Sequence, residues 1–230
     1  MVRIALVFPE LLGTYGDGGN ARVLARRLEW REIAHEVREV SMDDVLPGAD
    51  VYLLGGGEDG PQRLAVELLR EGGLVERVRD GAKVFAVCAG LQILGERFAV
   101  EGDDEFPGLG LIDAVTRRGP ERRVGDIVIR TGAGDEGLVV GFENHGGVTT
   151  LAPGIASLGT VARGYGNDGR VDGVRTREVW GTYAHGPVLA MNPGLADALL
   201  EDVLGRPLEP LPGVADELHL ARVRATRPTA

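Results

Sequence analysis

Residues 83–95 read KVFAVCAGLQILG. Residues 83–87 are an apolar, β-like run, and the pattern that follows from Ala89 predicts a helix to Phe98. Cys88 stands between the two. A strand that turns sharply into a helix lifts the residue at the turn above the edge of a sheet, which is the geometry of a nucleophile elbow. Small flanking residues let such a turn close, and Ala86, Ala89 and Gly90 meet that need. The helix start would aim its amides and positive dipole end at the sulfur, lowering the thiol pKa and favouring thiolate. The amide after the nucleophile can donate to a developing oxyanion. The competing reading is plain: a free cysteine after a buried strand is most often a small core hydrophobe. Local sequence leaves both open.

Outward from the elbow, apolar runs at 3–8 and 50–55 read as strands, the last closed by Gly55, Gly56 and Gly57, and residues 36–41 look like another strand. Helical spacing is found over 21–33 and from about Gln62 to Arg79. Apolar strands alternating with helices predict an α/β fold, a mostly parallel sheet with helices on both faces. Ligands of such sheets sit at the carboxyl ends of strands, near a topological switch point. Gly55–Glu58 and Cys88 lie at such ends. The second half carries short β-like runs near 109–116, 124–130, 137–142, 156–161 and 178–183, expected as added antiparallel strands or a β-rich flap. A last helix is expected over Pro193–Leu204. These boundaries predict one domain over 1–204, followed by a Pro- and Arg-rich tail, 205–230, that is partly mobile.

The composition narrows the function. A net charge of −10 argues against a nucleic-acid partner, because that binding rests on releasing counterions with Lys and Arg. One cysteine in 230 residues permits no internal disulfide and suits a reducing cytoplasm. No apolar run approaches the roughly 20 residues that cross a bilayer. MVRIALVF, followed at once by Pro9 and Glu10, reads as a first buried strand rather than a signal peptide.

A cysteine needs a base to act as a nucleophile at neutral pH. The four histidines are 35, 145, 185 and 219. His185 ends the β-like run of VWGTYAHGP, where a sheet enzyme would place its base; a turn histidine is the alternative. Gly186 and Pro187 cannot orient an imidazole, so the third group of a triad must come from elsewhere in this chain or from another chain.

The elbow VCAGLQ, the turn GGGE at 55–58 and GTYAHGP at 181–187 together resemble a class I (triad) glutamine amidotransferase. More narrowly, the chain is similar to the cobyric-acid-synthase-like branch, and within it to the GatD subunits of lipid II isoglutaminyl synthase. LLGTYGDGGN at 11–20, GDIVI at 125–129, GFENHGG at 141–147, GYGN at 164–167 and GTYAHGP carry that narrower match, in order, through residues 1 to about 204. The resemblance implies a flavodoxin-like glutaminase domain with Cys88 as nucleophile and His185 as base. It implies an oxyanion hole from the amides of Gly57 and Ala89, with Gly56 the nearest alternative to Gly57. Arg122, or its neighbour Arg123, would hold the glutamine carboxylate, a task suited to the two-pronged guanidinium. Two departures stand out. The family usually has Gly-Gly-Tyr-Gln where this chain has Ala89-Gly90-Leu91-Gln92, and many members carry a glutamate at the place of Pro187. In the GatD branch the third carboxylate is thought to come from the partner, a MurT-like Mur-ligase subunit, which would also hold ATP and Mg. Cobyric-acid-type acceptors and a non-catalytic binding subunit are the alternative functions.

TYGDGGN lacks the lysine of a phosphate loop, and a helix-entry turn capped by Asp17 or Asn20 weighs equally with a site role. Glu143, Asn144 and His145 are candidate site or interface residues. The sequence offers no metal-ligand spacing and no nucleotide motif, so no cofactor is expected on this chain.

Overall fold

The computed structural model describes residues 1–99, 104–132, 137–211 and 213–226. The first half alternates as its apolar runs require: β1 (Val2–Val7), α1 (Gly19–Glu29), β2 (His35–Val40), β3 (Val51–Leu54), α2 (Asp59–Glu71), α3 (Leu74–Arg79), β4 (Lys83–Val87) and α4 (Ala89–Leu94). A second set follows: β5 (Arg97–Ala99), β6 (Glu105–Pro107), β7 (Ala114–Arg130), β8 (Leu138–Leu151), β9 (Gly159–Arg163), β10 (Val171–Asp172), β11 (Val174–Arg175) and β12 (Val179–Thr182). Three helices close the chain: α5 (Val188–Met191), α6 (Pro193–Leu204) and α7 (Val214–Thr226).

The central sheet has the order β11-β12-β4-β3-β1-β2, parallel except for β11 at one edge. β3 and β12 are buried along their whole length and β1 and β4 nearly so, whereas edge strand β2 is largely exposed. Helices cover the sheet in two groups: α1 touches α5 and α6, and α2 touches α3 and α4. Chain order reverses between β1 and β3, so the segments leaving those strands diverge and open a crevice at their carboxyl ends. α1 is tied to α6 by Asp197, which receives Arg27 Nη2 at 2.6 Å and Arg31 Nη2 at 2.7 Å.

Several sequence expectations are corrected. The stretch 62–79 is two helices, broken at Gly73 with φ +74°, a conformation that suits glycine. The helix after Cys88 ends at Leu94 instead of Phe98; Phe98 belongs to β5, whose partner is β7. Only β11 adds an antiparallel strand to the central sheet. The run at 178–183 gives β12, which joins the central sheet parallel to β4, and β5 to β10 build a second sheet, β10-β9-β7-β5-β6, with β8 on β7. The runs at 109–116 and 124–130 contribute to one 17-residue strand, β7, paired with β8 and irregular between Arg118 and Arg123. Polar residues there hide the continuity from a hydrophobic pattern. The region past 204 contains α7, which the sequence did not predict; its Val223 is buried against Val128, Leu138 and Val140.

Candidate active site

Cys88 caps the end of β4 with φ +52° and ψ −106°. A non-glycine residue held there costs on the order of 1–3 kcal/mol and persists only where its surroundings dictate it. Three contacts do so. The Cys88 amide donates to the Thr182 carbonyl at 2.9 Å, the Gly90 amide donates to the Gly55 carbonyl at 3.1 Å, and a Cβ on Gly90 would lie 2.8 Å from Leu54. The elbow is thus wedged between the ends of β3 and β12. Cys88 is 6% exposed, and its thiol is pushed up to about 12. Burial is the main cause and the Asp17 carboxylate adds to it; the Ala89 amide and Arg122 pull the other way. The expected thiolate is therefore corrected to a thiol. α4 has only six residues, and its end cannot offset the loss of water around the sulfur.

His185 follows β12, which pairs with β4 in the register Thr182↔Val87. Residues 88 and 183 therefore continue from neighbouring positions on adjacent parallel strands, and His185 stands two residues further on. The imidazole is fully buried. Its Nδ1 lies 2.9 Å from Asp17 Oδ2, and its Nε2 has no hydrogen-bond partner among the described residues. A carboxylate accepts, so Nδ1 carries the proton and Nε2 is left as the free base nitrogen. Phe142 stacks on the ring at 5.3 Å, and the two backbones bridge.

Asp17 is the functional candidate that the sequence did not single out. The segment TYGDGGN leads into α1, but Gly18 occupies the N-cap with no side-chain cap bond. Asp17 instead holds His185 and the Gly56 amide, at 2.8 Å, while Asn20 accepts the Leu189 amide at 3.0 Å. Asp17 thus reaches from the loop after β1 to the glycine turn and His185, and Asn20, in the first turn of α1, holds the start of α5. Pro187, at the place where many amidotransferases have glutamate, packs on Gly19, whose absent Cβ would lie 2.3 Å from the proline ring. A carboxylate of this chain, 168 residues away in sequence, thus sits on His185 Nδ1. An acidic residue in a buried glycine-rich loop was the available signal, and its partner was not.

The triplet Gly55-Gly56-Gly57 is a close-approach device. Added Cβ atoms would lie 2.1 Å from the Leu12 carbonyl, 2.6 Å from His185 Cε1 and 2.6 Å from the Leu11 carbonyl, in that order. The Gly56 amide is occupied by Asp17. The Gly57 amide makes no hydrogen bond to a described residue, and Gly57 lines the cavity with Cys88. Of the two amides, Gly57 is the one left available to an oxyanion.

The cavity is about 300 Å³, and Tyr15, Gln92, Arg122 and Asn144 also line it. Arg122 sits in the irregular stretch of β7, where a bulge re-aims a side chain. Its Nε donates to Asn144 Oδ1 and its Nη2 to the Tyr15 hydroxyl. Arg123 turns away, stacks over Tyr165 at 4.0 Å and pairs with Glu121. Along β8 the side chains alternate. Asn144 faces the cavity with Arg122. Glu143, on the other side, is buried and accepts the amides of Tyr165 and Gly166 at 2.8 and 2.9 Å, so that GFENHGG holds GYGN in place. His145 reaches Glu143 at 3.2 Å, stacks on Tyr183 at 3.9 Å and touches the cavity wall. Among the described residues no group of three or more potential ligands could hold a metal, and no helix is long and apolar enough to cross a membrane.

Known proteins resemble this chain over most of its length. The GatD subunit of lipid II isoglutaminyl synthase from Staphylococcus aureus (strain N315) is 36% identical over 210 residues, covering 87% of this chain and 85% of that protein. The same subunit from Streptococcus pneumoniae is 32% identical over 88% of this chain and 80% of its own length. A cobyric acid synthase from Bacteroides fragilis is 35% identical over 69% of this chain, but the match spans only 32% of the synthase. Among solved structures, a glutamine amidotransferase superposes with a TM-score of 0.60 at 24% identity, covering 87% of this chain and 98% of its own, which speaks for the fold. Residues 3–193 match the CobB/CobQ-like glutamine amidotransferase domain, and the chain belongs to that family.

Proposed function

We propose that this chain is the glutaminase subunit of a lipid II isoglutaminyl synthase. The observation that carries the reading is Cys88 and His185 at the ends of adjacent parallel strands, with Asp17 on His185 Nδ1, in a chain that aligns with most of two GatD subunits. His185 Nε2 takes the Cys88 proton as the sulfur attacks the side-chain amide carbon of glutamine. Because the free thiol is so weak an acid, proton transfer and attack proceed together. The amides of Gly57 and Ala89 receive the oxyanion. Collapse breaks the C–N bond, His185 returns its proton to the leaving ammonia, and a glutamyl thioester is left. Water, deprotonated by His185, then releases glutamate and restores the thiol. Arg122 holds the α-carboxylate of glutamine.

Ammonia passes to a cytoplasmic, MurT-like Mur-ligase subunit, which binds ATP and Mg and amidates the D-glutamate of the peptidoglycan stem. Two features support that acceptor over a corrinoid: the extent of the GatD alignments, and the small fraction of the cobyric acid synthase that this chain spans. The test co-expresses the chain with a MurT-like subunit and measures glutamate release and acceptor amidation. Cys88→Ala is expected to lower glutaminase activity by at least about 10⁴-fold. Full activity in that variant would dismiss the nucleophile assignment, and amidation of a corrinoid carboxylate instead would reassign the acceptor.

A further inference from the structure

Tyr15 occupies a left-handed backbone conformation, φ +68°, which a residue with a bulky side chain rarely adopts. Such strain persists where neighbouring structure enforces it and often marks a working residue. The enforcement is visible. On one side the Thr14 amide donates to the Gly56 carbonyl at 3.0 Å, and on the other Asp17 accepts the Gly56 amide. The tyrosine is thereby pinned over the glycine turn, half-exposed at the cavity mouth.

Its side chain touches both halves of the site. The ring meets the His185 imidazole edge-on at 4.9 Å and Phe142 at 5.8 Å. The hydroxyl oxygen accepts from Asn144 Nδ2 at 2.8 Å and from Arg122 Nη2 at 3.3 Å. With two donors on its oxygen, the phenol directs its own proton to a third group, and an acid group in the cavity can accept it. A tyrosine ring has only two side-chain torsions, so displacement at the hydroxyl is carried to the ring edge. The base comes from the central sheet and the clamp from the second sheet, and Tyr15 touches both. We infer that Tyr15 is a positioning residue with two arms: its hydroxyl completes the Arg122–Asn144 clamp for the α-carboxylate, and its ring fixes the orientation of His185.

This inference rests on the glutaminase reading, and the experiment keeps the two apart. The full chain, with its synthetase subunit, is assayed for kcat and KM with glutamine as wild type, Tyr15→Phe, Tyr15→Ala and Cys88→Ala. Tyr15→Phe keeps the ring on His185 and removes the hydroxyl; KM is expected to rise about fivefold with kcat within about twofold. Tyr15→Ala removes both, and kcat is expected to fall about tenfold or more in addition, so that the phenylalanine variant counts as rescue of kcat. Equal thermal stability of the variants excludes a merely structural cause. Unchanged kcat in Tyr15→Ala, or equal loss of kcat in both variants, overturns the assignment of the ring to His185 and the hydroxyl to the clamp. If Cys88→Ala abolishes turnover while both Tyr15 variants match wild type, only the Tyr15 inference fails. Full turnover in Cys88→Ala removes the glutaminase reading itself.

Discussion

The two sheets supply different parts of the site by different means. At the carboxyl edge of the central sheet, Cys88, His185 and Asp17 are buried and locked by short backbone contacts, and the price is a strained cysteine and a thiol that resists ionising. On the second sheet, Arg122 and Asn144 stand on an exposed, irregular stretch of β7 and its partner β8, held by hydrogen bonds to each other and to Tyr15. The reacting groups must be held in one dry geometry, where electrostatic interactions are strong. The substrate clamp must instead be reachable from solvent. In the proposed mechanism, burial therefore concentrates where bonds change, and accessibility where glutamine enters.

The contrast can be probed from either side. The largest effect is expected in the pH dependence of Cys88 alkylation by iodoacetamide in the free chain. With the thiol raised to about 12, the thiolate fraction grows about tenfold per pH unit. The rate should thus rise about 10³-fold from pH 7 to pH 10, and a plateau near pH 9 would mean an ordinary, accessible thiol. Next comes Asp17→Asn, which can still accept from the Gly56 amide but loses the charge facing Nδ1 of His185. A fall in kcat of about 10²-fold or more is expected with the fold intact by circular dichroism; wild-type kcat would return the orienting role to a partner's carboxylate. Arg122→Lys, on the open side, should raise KM for glutamine by about tenfold and change kcat less, because an ammonium cannot grip a carboxylate in two places. The smallest effect on turnover is expected from Glu143→Ala. It strips the acceptor from two amides and should cost about 2–3 kcal/mol in thermal or urea unfolding while sparing Cys88 alkylation. A loss of alkylation as large as the loss of stability would show the two sheets to be one mechanical unit.

The residues differ in how far they could be read in advance. Cys88 and His185 could be marked as candidates because each closes a short apolar run, and strand ends are where an α/β sheet gathers its chemistry. Helix α6 was predicted over its observed span, Pro193–Leu204, from a proline start and periodic apolar residues. Arg122 was singled out together with Arg123, and only the irregularity of β7, which sends one to the cavity and the other onto Tyr165, separates them. The trio Glu143, Asn144 and His145 was treated as one unit, yet strand alternation splits it into a cavity residue and a buried brace. Helix α7 was missed because its apolar face is narrow and its contact, Val223 on β7 and β8, is made with residues about 80–95 positions earlier.

Local order along the chain was thus enough to establish the alternating architecture and to mark the elbow and a candidate base, since apolar periodicity and turn chemistry act over a few residues. The approach of Asp17 to His185, the choice of Gly57 over Gly56 and the protonated state of Cys88 were decided only in three dimensions. Each depends on which groups burial brings within about 3 Å and on how much water it removes, and neither quantity is a property of neighbouring residues in sequence.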